Sequence, residues 1–559
     1  MQLPELRLAA RERGMRAPTR PRQLARWART LPQGDGRRAA ADVLGQLRRL
    51  NLHDYAPRQR ASLNGIVRPL AESVLEALRR PLRGGSLAVE DGQRGAAADI
   101  QQLLQALADA DRLVIEGLSA QSRPKPADTP LLAEAVHGEV TALSQRLLES
   151  YRVYHSEPPG VWRELHRLYR FAEERGLLER TVGDPHGQRP PAVRRSIELA
   201  YKRIVLLAIA EPYHLMPGEA GELYDTLAGW AGACEIRPLG ELPPNGDYIV
   251  DLAVDMAPRY VPGDMQVKPA AGHILDIDAV REALDAAIQP LLSQAREGAA
   301  ASRLAERQRR DRLMRLADTW SGHPARRAPR RAHRAQIQMT AGLNGCHYQL
   351  SGGAAFTPEM DALKITTSAR RPSSMDLPAS AEQTPQALFA TAYREALQRD
   401  KRHQDRGTYA VHPWLQINDS EAGIALSCPP ERVGGVRVGE LAAYRFTAGQ
   451  GPAWRIGAVR WLRQGDSGTV EMGIKNLADR AIAIGAKGIA GVGAHSEYFR
   501  ALLLAGDGAA TLITPAAIFD VGSELLINDR RQLRRVRLTR LLLSTRAFTQ
   551  FEYASARQD

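Results

Sequence analysis

Trp414-Leu415-Gln416-Ile417-Asn418-Asp419-Ser420-Glu421-Ala422-Gly423-Ile424-Ala425-Leu426-Ser427 decides the fold of the C-terminal half. Its apolar and polar positions alternate up to a cluster of small polar residues and then resume, the pattern of a strand, a tight turn and a second strand. Asn418 and Ser420 can cap such a turn through their own side chains, which accounts for them without a ligand. Working outward, Gln336-Ile337-Gln338-Met339-Thr340 alternates like an opening strand. Residues 436–440 supply a turn into 441–446, and 458–462 with 470–475 form a hairpin. After Trp320 the chain consists of short β-rich runs divided by glycine, proline and charged turns, so the main boundary is placed near residue 320. One helical insertion, at 384–403, is expected to interrupt this half.

Just before this block, residues 303–334 hold eleven arginines among 32 positions, ending in Arg326-Arg327-Ala328-Pro329-Arg330-Arg331-Ala332-His333-Arg334. An arginine tract alone is usually a solvated linker. Here it runs straight into the opening strand, and Arg330-x-x-x-Arg334 followed by Asn418-x-Ser420-x-x-Gly423 resembles the two-part signature of PilZ domains. Arg327 and Arg331 satisfy the first spacing equally well. The resemblance covers residues 325–480 and departs from the family in spacing, since 83 residues, 335–417, separate the two halves of the signature.

The resemblance implies a six-stranded antiparallel barrel, without catalytic activity, that binds cyclic di-GMP, often as a stacked dimer, through arginines on a flexible segment. It implies a bacterial setting, a change of domain orientation or partner choice on binding, an unidentified protein partner, and an output in motility, attachment (biofilm) or exopolysaccharide production. Arg330 and Arg334 are assigned to guanine and phosphate contacts and Arg331 to a second phosphate. Asn418 and Ser420 are assigned to a purine edge, and Gly423 to close approach of the ligand to backbone. The chemistry suits these roles. Arginine's planar fork pairs bidentately with guanine O6 and N7, stacks on a purine or clamps a phosphate; amide and hydroxyl groups offer donors and acceptors, and glycine removes the Cβ.

At 559 residues the chain exceeds what one core supports. We expect an α+β multidomain protein. Residues 1–128 form a helical region, and 129–320 a second, mainly helical region with a short β element near 235–261. Residues 321–480 form the PilZ-like barrel with an insertion near 343–405, and 481–559 a terminal β module. Leu24, Leu44, Leu47, Leu75 and Leu78 recur at helical spacing, as do Trp162, Leu165, Tyr169 and Ala172. Residues 196–210 form an apolar helix that Glu211-Pro212 stops, and helical spacing resumes from Ile274 to Leu316. Strands are expected at 502–504, 511–514 and 533–538, joined to the barrel by a flexible linker at Gly485–Gly493.

Residues 1–30 carry eight arginines and no apolar run of the secretory kind, so a cytoplasmic location without a membrane span is expected. Cys234, Cys346 and Cys428 stand too far apart for a paired metal motif and are read as buried thiols. No metal or cofactor is expected beyond the nucleotide ligand. Gly465-Asp466-Ser467-Gly468 is ordinary turn chemistry rather than a protease nucleophile, there being no matching histidine base. His166 is expected to pack within its helix. The net charge of +13 favours a polyanionic partner. Nonspecific nucleic-acid binding, supported by Arg530, Arg531, Arg534, Arg535 and Arg537, is therefore the rival from another class, although no zinc finger or aromatic RNA-binding signature accompanies it. A scaffold with an inert, degenerate barrel is the third reading.

Overall fold

The computed structural model describes residues 20–32, 36–82, 87, 91–121, 125–183, 195–240, 246–262, 271–293, 300–321, 331–332, 334–354, 356, 409–433, 435–447, 453–465, 468–490, 497–505, 510–528 and 532–556. They fall into two compact units, Met1–Asp285 with Leu316–Pro324, and Ala286–Arg315 with Ala325–Asp559. Among the described residues no helix is long and apolar enough to cross a membrane, and no cluster of His, Cys, Asp or Glu has the geometry to hold a metal ion.

Among the described residues the first unit is built on helices α1 (Pro21–Ala28), α2 (Gly36–Leu52), α3 (Pro57–Arg79), α4 (Asp91–Ser119), α5 (Thr129–Arg152), α6 (Val161–Glu174), α7 (Ile197–Ile209) and α8 (Glu219–Trp230). The apolar stripes read from the sequence face inward: Leu24, Leu47, Leu75, Leu78, Trp162, Leu165, Tyr169 and Ala172 are almost wholly buried. Proline opens the first turn of α1, α3 and α5, where its missing N–H costs nothing. Helix α7 starts on a Ser196 cap, whose hydroxyl accepts the Leu199 amide at 3.2 Å. It stops where Glu211 turns left-handed, with φ 52°, ahead of Pro212. His166 is packed, as expected, between the Tyr201 hydroxyl at 2.7 Å and the Met256 carbonyl at 2.9 Å; burial pushes its imidazole pKa down.

The β element of this unit is larger than the sequence indicates. Strands β1 (Glu235–Pro238), β2 (Asp247–Asp251), β3 (Arg259–Val261) and β4 (Gly272–Asp276) form an antiparallel sheet in the order β1-β4-β2-β3. The helical spacing expected from Ile274 is corrected: Ile274 pairs with Arg237 on one side and Ile249 on the other, and helix begins only at Asp278. Two-sided pairing in a central strand outweighs a weak local periodicity. Helices α9 (Asp278–Ser293) and α10 (Ala300–Trp320) then carry the chain into the second unit.

That unit opens with β5 (Arg331–Ala332) and β6 (Gln336–Ala341), then helix α11 (Leu343–Leu350), which lies at the start of the expected insertion; the helix expected at 384–403 lies outside the described residues. Strands β7 (His412–Ser420), β8 (Gly423–Cys428), β9 (Leu441–Phe446), β10 (Arg455–Gln464) and β11 (Val470–Ala478) complete a closed ring, β6-β9-β10-β11-β8-β7, antiparallel throughout, with β5 continuing the edge of β7 beside β6. This is the six-stranded barrel that the signature implied. The turn between β10 and β11 closes on Gly468 at φ 78°, so Gly465 and Gly468 form a hairpin turn, as expected.

A second closed barrel follows, β12 (Arg480–Ala490), β13 (Phe499–Ala505), β14 (Thr511–Pro515), β15 (Glu524–Asn528), β16 (Leu533–Ser544) and β17 (Phe548–Ser555), in the order β12-β13-β14-β17-β16-β15. The flexible linker expected at 485–493 is corrected over 485–490 by β12; 491–493 lie outside the described residues. Gly485 and Ala486 pair with Arg500 and Phe499 on one side and with Asn528 and Ile527 on the other. The small residues that resemble a linker let this strand bend where it is shared by the two edges that close the barrel. Leu441, Ala443, Ile456 and Ala458 of the first barrel share an apolar cluster with Leu502, Leu504, Ile513 and Phe548 of the second and with Cys346 of α11. All three cysteines are buried and free, and burial pushes the Cys234 and Cys428 thiols up to about 12.

Candidate ligand site on the first barrel

The polar corner lies at the β7–β8 turn, and its geometry follows from a misfit in pairing. A β-bulge between Gln416 and Asn418 sets these two residues on consecutive rungs, opposite Leu426 and Ala425. They therefore face opposite ways: Gln416 turns into the barrel, 1% exposed, while Asn418 turns to the outer face that it shares with Ser420. Ser420 stands opposite Gly423, and its hydroxyl donates to the Gly423 carbonyl at 3.4 Å.

Two residues not anticipated from the sequence hold this corner in place. Asn476 of β11 donates its backbone N–H to the Ala422 carbonyl at 2.9 Å, and its side-chain oxygen accepts the Tyr444 hydroxyl. Burial, opposed by Arg455, pushes the Tyr444 phenol up to about 12, so it stays a donor at every physiological pH. Nothing in local sequence links Tyr444 to Asn476 over 32 residues; they meet because β9 and β11 both flank β10 in the ring.

The arginine segment reaches the same corner. Arg331 stands opposite Asp419 and Ala332 opposite Asn418 across the β5–β7 ladder, and Gln416 donates its N–H to the Ala335 carbonyl at 2.9 Å. Residues 331–332 and 334–335 thus run beside the polar turn, with Arg331 and Arg334 both exposed; Arg330 lies outside the described residues. The two halves of the signature, far apart in sequence, meet because β6 and β7 are neighbours in the ring.

Gly423 has a packing reason of its own. A Cβ there would lie 2.1 Å from the Ile474 carbonyl oxygen, a backbone atom that cannot swing aside. Gly423→Ala is therefore expected to force β8 from β11, costing about 1–3 kcal/mol as overpacking does. A thermal melt that drops by several degrees is the expected result; an unchanged melt with weakened ligand binding would show that the glycine serves the ligand alone.

Comparison with known proteins gives the frame for this geometry. The family description "Cyclic-di-GMP receptor FimW, middle PilZ domain" matches residues 248–482. The chain carries a PilZ domain. Its PilZ region is flanked by matches to the N-terminal domain of the cyclic-di-GMP receptor FimW over residues 22–241 and to the FimW C-terminal β-barrel domain over 484–556. Over 568 aligned positions the chain is 28% identical to the cyclic-di-GMP receptor FimW of Pseudomonas aeruginosa, covering 96% of this chain and 90% of that protein, and is homologous to it along its length. No solved structure matches.

Proposed function

We propose that this PilZ protein is a cytoplasmic, non-enzymatic receptor for cyclic di-GMP, with Arg330, Arg331 and Arg334 gripping guanine and phosphate while Asn418 and Ser420 contact a purine edge beside Gly423. The observation that carries this reading is the ladder that sets Arg331 and Ala332 opposite Asp419 and Asn418, because two parts of one signature can serve one ligand only if they are neighbours. Homology to a protein whose name states the same ligand supports it. Binding would stiffen the arginine segment against β7 and pass the change to a protein partner, with motility or attachment as the output.

The nucleic-acid alternative loses ground on β16. Arg535 is paired with Glu524 at 2.5 Å and Arg540 with Glu552, so two of its exposed arginines already have carboxylate partners. Calorimetric titration with cyclic di-GMP, with cyclic di-AMP and GTP as controls, separates the readings. Saturable binding selective for the guanine dinucleotide is expected. An equal response to cyclic di-AMP, or no heat and no thermal shift at saturating ligand, would overturn the receptor reading.

A further inference from the structure

A second bulge faces the first across the outer surface of the barrel. Between Val459 and Trp461 the register of β10 against β11 shifts, so Val459 pairs with Ile474 inside the barrel and Trp461 pairs with Gly473 outside it. The bulges on β7 and β10 thus set Asn418 and Trp461 on one outward row, Asn418, Ala425, Gly473, Trp461. The two residues between them are nearly side-chain-free. Trp461 does not stand upright: a Cβ on Gly473 would lie 2.0 Å from its indole nitrogen, so the ring is laid down over Gly473 toward Ala425 and Asn418.

The next row toward the turn runs Ser420, Gly423, Lys475. Lys475 is exposed and makes no ion pair among the described residues. Burial, and then the Arg460 guanidinium, push its ammonium pKa down. Rows are about 4.8 Å apart between strands and about 7 Å apart between alternate residues of one strand. By that spacing Lys475, and the indole over Gly473, stand two strand steps, about 10 Å, from Ser420 and Asn418, within the reach of one dinucleotide.

Resting on the receptor reading above, we infer that Trp461 and Lys475 form the far wall of the ligand site, the indole stacking on a guanine base and the Lys475 ammonium binding a phosphate. Neither residue belongs to the arginine or Asn-x-Ser-x-x-Gly parts of the signature. A flat aromatic face suits a purine because stacking needs no particular hydrogen-bonding edge, and a lone ammonium suits a phosphate oxygen as a point charge.

Titration of the full chain and of Lys475→Met, Trp461→Ala and Trp461→Phe with cyclic di-GMP tests the inference. Lys475→Met keeps the stem and removes the charge; it is expected to weaken binding roughly tenfold and to flatten the salt dependence of the affinity. Trp461→Ala is expected to lose roughly tenfold to a hundredfold, and Trp461→Phe, which keeps an aromatic face, to recover most of that loss. Because Trp461→Ala also uncovers Gly473, its melt is compared with the parent, and if it unfolds, Lys475→Met and Trp461→Phe decide the outcome. Parent binding with unchanged affinity and salt slope in Lys475→Met, or Trp461→Phe as weak as a folded Trp461→Ala, would overturn this wall of the site and leave the receptor reading standing. Failure of the parent to bind would overturn both.

Discussion

Replacing Arg330 and Arg334 together by alanine is expected to lower affinity for cyclic di-GMP by roughly two orders of magnitude or more without lowering the melting temperature. Each bidentate arginine contact to guanine is worth about 1–3 kcal/mol, and about 1.4 kcal/mol is tenfold in affinity. Stability is spared because Arg334 is exposed and lies outside the two-rung ladder formed by Arg331 and Ala332. Arg331→Ala is expected to cost less binding than the double change, since Asp419 stands directly opposite Arg331 and competes with a phosphate for it. Calorimetry on the folded variants checks both. Full affinity in the double variant would move the site away from this corner, and uniform weakening of guanine and adenine dinucleotides alike would assign the arginines to bulk charge.

The ring of strands was legible wherever one face of a strand is buried and the other wet. Gln336–Thr340, Trp414–Leu426 and Val470–Lys475 alternate because a closed barrel leaves no other choice of face. The signature residues were legible for a different reason: each part is ordinary for a turn or a linker, and it is their order, with the arginines running straight into a strand, that resembles the family. What local pattern does not carry are the bulges. A one-residue register shift at Ile417 or Arg460 leaves composition unchanged yet decides whether Asn418 and Trp461 face out or in. Tyr444 and Asn476 were invisible too, being joined across β10 by strand order rather than by nearness in sequence. Gly485 and Gly488 misled in the opposite direction. Small residues mark either a linker or a strand that must bend between two partners, and only the pairing partners distinguish these. Ser420 and Gly423 satisfy the turn and its packing, and the same geometry sets Asn418 on the outer face, opposite Ala332 of the arginine segment.

The other large effect belongs to the helical unit, where Arg112→Leu is expected to cost about 3–5 kcal/mol, and more at high pH than at low. Arg112 of α4 donates its Nε and Nη2 to one oxygen of Glu139 on α5, at 2.8 and 2.6 Å, and reaches Glu164 of α6, which also accepts from Arg167 at 2.9 Å. Glu139 is wholly buried, and its second oxygen has no partner among the described residues. Burial outweighs the Arg112 attraction and pushes the Glu139 carboxyl up to about 8. Its unfolded value is the ordinary one, about 4.3, so between these limits the native chain holds a proton that the unfolded chain has released. Stability from this group is therefore present in full below about pH 4 and is lost as pH rises through about 8. Leucine fills the arginine's space but offers no charge, which drives the Glu139 carboxyl higher still and extends the loss to more alkaline pH. Urea unfolding of the full chain, followed through its helical signal at about pH 6 and about pH 8.5, should show the parent less stable at the higher pH and the Arg112→Leu deficit enlarged there. Glu139→Gln should flatten this pH dependence, since it removes the titrating group while keeping an acceptor for Arg112. An Arg112→Leu deficit equal at both pH values would mean that Glu139 is not the group left stranded.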